Sequence, residues 1–158
     1  MPEKQTVERA EKAKRQGKSP STQSGEFVRE EIHHIREGKH GARSTKQAIA
    51  IGLSKARRAG VDLPPPKKGA VSEKTRRAAD RDYKRGRQGK SKISRSRSQA
   101  RQRALKGEAR SAASRNALAT QARSAARSAS ARKAARTKGS KGRSAAARKA
   151  ARARARHG

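Results

Sequence analysis

Large apolar side chains are confined to the first half of the chain, where they fall at helical spacing. Phe27, Val28, Ile32 and Ile35 make a stripe within GEFVREEIHHIRE, which predicts a helix with Ser24 as its N-cap. Gly38 and Gly41 interrupt the pattern. It resumes in TKQAIAIGLSKARRAG, where Ser44 or Thr45 is the cap, Ala48, Ile49, Gly52, Leu53 and Ala56 share a face, and Gly60 is the stop. Ahead of both lies a polar segment, EKQTVERAEKAKR at 3–15. It holds strong helix formers, with Glu early and Lys or Arg late, which suits the helix dipole. Gly17 and Pro20 are expected to end it. Pro64, Pro65 and Pro66 form a stiff boundary, after which Ser72 starts another charged helix, EKTRRAADRDYKR.

Residues 24–63 therefore read as a helical hairpin. Its core would be Phe27, Val28, Ile32, Ile35, Ile49 and Leu53, with Val61 and Leu63 folding back as cover. Each such side chain contributes roughly 1.5–3 kcal/mol at full burial, which is marginal for a lone unit of about forty residues. The hairpin is thus expected to form a homodimer through 24–63, to pack on the first helix, or to firm up on a ligand. The expected fold class is mostly α with extensive disorder: a short helical hairpin plus an Ala/Lys/Arg-rich cationic tail, with no single globular core. The expected segments are a charged helix and linker at 1–23, the hairpin at 24–63, a Pro/Lys linker at 64–71, a charged helix at 72–86 and a basic Ala/Ser/Arg-rich tail at 87–158. The string RQGKS occurs at both Arg15–Ser19 and Arg87–Ser91, which suggests a duplicated module or a chance echo in a basic chain.

Composition explains why so little is patterned. Of 158 residues, 45 are Lys or Arg and 12 are Asp or Glu, for a formal net charge of +33, and only 30% are apolar. One Phe, one Tyr and no Trp are present. Such a chain cannot repay the ordering entropy of all its residues by burial. With no cysteine, disulfide scaffolds, thiolate metal sites and thiol catalysis are excluded. No run approaches 18 apolar residues and the N-terminus has no apolar signal core, so the expected location is cytoplasmic, with no membrane partner. The charge is lopsided: residues 1–69 hold 16 basic and 8 acidic residues, residues 70–158 hold 29 and 4. A cation of this size attracts polyanions over roughly 8 Å at physiological salt.

Enzymatic motifs do not assemble. GRQGKS at 86–91 resembles the end of a phosphate-binding loop, but the glycine required five residues before Gly-Lys-Ser is Lys84, and no buried strand precedes it. His33 and His34 point about 100 degrees apart on a helix. Their partners at helical spacing, Glu37 and Glu30, yield two-ligand sites at best. No paired carboxylates, nucleophile with base, or oxyanion loop is present. The expectation is a protein that is not an enzyme and has no cofactor and no metal.

The positive evidence lies in the cations. The fifty residues after Glu108 hold 15 Lys or Arg and 19 Ala, and Leu118 is their one apolar side chain larger than alanine. Alanine favours helix, while like charges oppose folding until phosphates neutralise them. As a helix this stretch would span about 75 Å beside a duplex carrying one phosphate charge per roughly 1.7 Å. The expected phosphate contacts are Lys55, Arg57 and Arg58 at the end of the third helix, then Arg123, Arg127, Arg132, Lys133, Arg136, Lys138, Lys141, Arg143, Arg148, Lys149, Arg152, Arg154 and Arg156. They form no single face, and no apolar stripe suits a membrane surface. Backbone contacts with little base readout follow. Base stacking needs aromatics, and only Phe27 and Tyr83 exist, so duplex DNA or structured RNA is favoured over single strands; DNA is the preferred partner over RNA. The stretch SKISRSRSQARQR at 91–103 reads as a solvated linker, or as a phosphorylated segment in which each phosphate cancels nearly two arginines.

Two resemblances follow. The alternation of Ala, Lys, Arg and Ser over 109–158 resembles the tails of histone H1 and of bacterial H1-like nucleoid proteins, which implies nucleoid association. REGKHGARSTKQAIAIGLSKARRAG at 36–60 resembles a small uncharacterised bacterial family of basic proteins with a KQAIAIxLSxA helix, some of them labelled plasmid stabilisation protein. Lys46, Gln47, Ala48, Ile49, Ala50, Ile51, Leu53, Ser54 and Ala56 keep that pattern, and Gly52 stands where alanine is usual. The reading is non-enzymatic, largely sequence-independent DNA binding by a nucleoid-associated, histone H1-like protein, with plasmid maintenance as one setting. The alternatives are a ribosome- or RNA-associated basic protein, and a protein-interaction module at 24–63 with a nonspecific basic tail. A helix-turn-helix role for 45–59 is a further alternative, although the seven-residue joint is long for that motif.

Overall fold

The structure, a computed structural model, describes residues 2–89 and 94–137, together with Arg148, Arg152 and Ala155. These are mostly helical: α1 (Lys4–Arg15), α2 (Pro20–Arg36), α3 (Thr45–Arg58), α4 (Glu73–Arg87), α5 (Arg95–Lys106) and α6 (Arg115–Thr137), with one 3-10 turn at Ser111–Ala113. The chain divides into a unit of residues 1–118 and a unit of residues 119–158.

Helix boundaries follow capping chemistry. α3 and α4 start where expected, because Ser44 Oγ accepts from Gln47 N (3.2 Å) and Ser72 Oγ from Thr75 N (3.3 Å). The N-cap of α2 is Ser19, five residues earlier than the expected Ser24. Ser19 Oγ accepts from Thr22 N (3.3 Å), and Pro20 takes the first helical position, where its missing N–H costs nothing and its fixed φ is already helical. Pro20 therefore begins a helix and does not merely end one. Ser24 lies buried inside α2, its hydroxyl donating to the Ser21 carbonyl (2.9 Å). The RQGKS repeat also has a local cause: Gln16 and Gln88 are the C-caps of α1 and α4, and Gly17 and Gly89 follow with φ of 68° and 86°. It is a helix stop used twice, with glycine at the left-handed position.

The core of the first unit has two clusters. Ile32, Ile35, Ala42, Ala48, Ala112 and Ala113 form one, with Val28 and Leu118 packed against it. Ala10, Phe27, Ala56 and Val61 form the other, flanked by Val7 and Leu63. Of the expected core, Phe27, Ile32 and Ile35 are buried, whereas Val28, Ile49 and Leu53 are only half-buried. On α3 the buried spine is Ala48, Gly52 and Ala56. α2 and α3 cross so closely that a Cβ at Gly52 would lie 2.7 Å from Val28 Cα and 3.0 Å from the Phe27 carbonyl oxygen. The larger Ile49 and Leu53 flank this backbone contact. Gly86 plays the same part between α4 and α3, since a Cβ there would overlap the Arg57 carbonyl. The glycine of GRQGKS is thus a packing residue within a helix, while Lys90 and Ser91 lie outside the described residues.

Two further segments complete the unit. Of the three ways expected for the hairpin to gain cover, packing on the first helix is observed: α1 buries Thr6, Ala10 and Ala13. The second segment was not expected to fold with it. Gly41 N donates to the Leu105 carbonyl (2.8 Å) and Ala42 N to that of Ala109 (3.0 Å). Thr45 Oγ1 donates to the Ala112 carbonyl (2.7 Å) and Arg36 Nε to that of Ala113 (2.9 Å). The tail composition therefore begins inside the fold. Alanine at 112 and 113 lets the backbone approach α2 and α3, and main-chain carbonyls supply the bonds. The second unit holds the remainder of α6, whose residues from Ala125 to Thr137 are exposed throughout. Through Thr137 this stretch is helical, as its alanine content favours.

Candidate nucleic-acid interface

The three α3 cations proposed from sequence do not form a free phosphate-binding edge. Lys55 Nζ lies 2.6 Å from Glu31 Oε2 and 3.3 Å from Glu30 Oε1. Arg57 is buried and its Nε donates to the Leu63 carbonyl (3.1 Å). Burial lowers its pKa from the ordinary guanidinium value, partly opposed by the charge of Asp82. Arg58 Nε donates to the Ser54 carbonyl (3.1 Å) and lies 3.7 Å from Asp82 Oδ1. These residues hold α3 to α2 and α4, so a groove-entering role for 45–59 lacks the exposed charged face it needs.

Other acids of the first four helices are engaged in the same way. Glu26 pairs with Arg9 and Arg29, Glu73 with Arg76 and Arg77, and Asp80 with Lys84. Hydrogen bonds from Arg76 and Arg77 hold the Glu73 carboxyl down at about 2. Tyr83 donates to Asp62 Oδ1 (2.6 Å), and its hydroxyl accepts from Arg87, whose guanidinium also stands 5.6 Å from the ring centre. Phe27 is 1% exposed. Neither aromatic ring is offered to a nucleobase.

Beyond Arg87 the balance changes. Residues 95–136 carry twelve Lys or Arg and one acid, Glu108. Among the described residues, no carboxylate pairs with a cation of α5 or α6. Arg123, Arg127, Arg132, Lys133 and Arg136 are all exposed, and they are distributed around the α6 axis and not along one face. Arg148 and Arg152 are also exposed, whereas Lys138, Lys141, Arg143, Lys149, Arg154 and Arg156 lie outside the described residues. Among the described residues no helix is long and apolar enough to cross a membrane.

A second charged centre lies between α2 and the following loop. Glu31 is fully buried, and neither oxygen accepts an aligned hydrogen bond despite Lys55 beside one and His40 Nε2 3.2 Å from the other. His34 Nε2 donates to Glu3 Oε1 (2.8 Å), which also faces Lys39 (3.4 Å). These two bonds hold the Glu3 carboxyl below its ordinary value, His34 contributing most. Sequence spacing joined His34 to Glu30 and His33 to Glu37. It missed Glu31 and His40, which the glycine loop brings together from outside the helix.

Residues 3–69 match the model of a family of unknown function (DUF6496). The match covers less than half of the chain. It includes the KQAIAI helix and α1 to α3, and it stops short of the 105–118 segment that completes their core. No curated protein and no solved structure matches the chain.

Proposed function

We propose that this chain is a non-enzymatic nucleic-acid-binding protein that grips the phosphate backbone of duplex DNA with little regard to sequence, as a nucleoid-associated, histone H1-like protein in the cytoplasm, with plasmid maintenance as one setting. The observation that carries the reading is the split in charge partnership. In the first four helices Arg9, Arg29, Lys55, Arg58, Arg76, Arg77 and Lys84 each meet a carboxylate, while among the described residues no cation of α5 or α6 does. Exposed, unanswered cations spread over an alanine-rich helix suit a polyanion of regularly spaced phosphates. Scattering of the cations round the α6 axis favours wrapping by backbone contacts over insertion of one reading face.

The aromatic inventory favours duplex over single strand. Single-strand and sequence-reading RNA modules stack bases on exposed rings, and here Phe27 is core and Tyr83 is engaged by Asp62 and Arg87. Retention on immobilised duplex DNA, duplex RNA and single strands at matched salt tests this. The reading expects duplex DNA to retain the chain to the highest salt, and loss of that retention on deleting residues 119–158. Preferential retention on RNA, or undiminished DNA retention after the deletion, would overturn it.

A further inference from the structure

We propose that Glu31, His34 and His40 form a binding site for a divalent transition-metal cation of the zinc class. One ligand atom from each of the three lies within 4.8 Å of the other two. This site is independent of nucleic-acid binding, and the hydrogen bonds of its two imidazoles define it. His40 Nδ1 faces the Gly41 carbonyl at 3.0 Å, and a carbonyl only accepts, so Nδ1 carries the proton. His34 Nε2 faces the Glu3 carboxylate at 2.8 Å, so there the proton sits on Nε2. Each ring thus gives its outer N–H to an oxygen, as metal-ligating histidines do when a carboxylate or carbonyl fixes their tautomer.

The inner nitrogens then point lone pairs at buried carboxylates. His40 Nε2 lies 3.2 Å from Glu31 Oε1, and His34 Nδ1 lies 4.0 Å from Glu30 Oε1. A cation between such a nitrogen and such an oxygen, a metal ion among them, joins the two. Glu31 is fully buried and its oxygens accept no aligned hydrogen bond; Lys55 pairs with Oε2 (2.6 Å), and Oε1 faces the His40 nitrogen. Two ligands of one tetrahedral zinc, at bond lengths of 2.0–2.1 Å, sit roughly 3.3 Å apart. The Glu31–His40 pair already has that spacing, and the His34 ligand atom lies within 4.8 Å of both. Lys55, on Glu31 Oε2, orients the carboxylate from the outer side and leaves Oε1 to the ion.

Two imidazole nitrogens and one carboxylate oxygen select a borderline cation over calcium or magnesium, which favour all-oxygen shells. The loop holding His40 is fixed in place by the bonds from Gly41 to Leu105 and from Ala42 to Ala109, so a bound ion would tie α2 to this loop and its 105–109 strap.

The test titrates Zn2+ into the chelator-stripped full chain by calorimetry, with Co2+ absorption as a report on tetrahedral geometry. One equivalent is expected to bind to the wild type and to His33→Gln, whose ring is outside the cluster. His34→Gln and His40→Gln are expected to weaken binding more than tenfold. Should either variant unfold, imidazole nitrogen shifts of the wild type give the answer: Zn2+ moves His34 and His40 and leaves His33 in place. Absence of saturable binding, equal affinity in His40→Gln, or imidazole signals that respond to pH and not to Zn2+ would overturn the proposal.

Discussion

Replacing Gly52 by alanine opposes two effects of known sign. Helix propensity favours alanine by about 0.8–1.0 kcal/mol in a helix interior. Packing opposes it, because the new Cβ would stand 2.7 Å from Val28 Cα, 2.9 Å from Val28 N and 3.0 Å from the Phe27 carbonyl oxygen. All three are backbone atoms of α2 and cannot rotate aside. Restoring ordinary contact requires α2 and α3 to separate by roughly 1 Å at their crossing, which loosens Phe27 against Ala56 and Ile35 against Ala48. Overpacking of this kind costs about 1–3 kcal/mol, and the rigid neighbours place it in the upper part of that range. The net expectation for Gly52→Ala is a loss of about 1–2 kcal/mol, read as a fall in Tm of at least several degrees. Thermal unfolding of the two proteins by circular dichroism decides the matter. A Tm that rises with Gly52→Ala would show that propensity dominates and that the close crossing is not what holds the pair together.

Lys55→Met leaves the buried Glu31 without its countercharge, so it is expected to destabilise the chain by about 3 kcal/mol or more while leaving the salt dependence of DNA binding unchanged; denaturant melts and binding isotherms check the two halves. Acid should act through Glu3 and Glu73, whose folded pKa values lie below the unfolded carboxylate value of about 4.3. Their contribution is therefore full above that value and fades as pH falls below it, for Glu73 toward about 2. Helicity followed by acid titration should fall across this window, with Glu73→Gln removing part of the change, and helicity that holds to pH 2 would contradict it. A chain ending at residue 118 should keep the melting transition of the first unit. One ending at 108 should melt well below it, since it lacks Ala112, Ala113, Leu118 and the carbonyls that bond Thr45 and Arg36.

What the sequence revealed and what it hid have separate physical causes. The stripe of Phe27, Ile32 and Ile35 and the serine caps of α3 and α4 are local signals, carried by period and by side-chain oxygens next to orphan amides, and they appear as expected. The start of α2 at Pro20 was obscured because proline ends one helix and opens another with the same fixed φ. The α3 face was misjudged by size: Ile49 and Leu53 look like core, yet the contact at Gly52 is backbone to backbone and rewards the smallest residues. The 105–113 strap was invisible because its bonds come from main-chain carbonyls and its buried residues are alanines in a tail-like composition. Lys55, Arg57 and Arg58 read as ligand contacts because their acceptors, Glu31, the Leu63 carbonyl and Asp82, become neighbours only on folding. The same long-range closure joins His40 to Glu31.

Affinity for a short DNA duplex measured against salt reads out the unanswered cations of α5 and α6. Each phosphate neutralised contributes about −0.9 to the slope of log Kobs against log[salt]. Engagement of six or more cations, the number that α6 carries from Arg115 to Arg136, predicts a slope of about −5 or steeper, the same for duplexes of unrelated sequence. A slope shallower than about −2, or one that changes with the sequence of the duplex, would contradict the account.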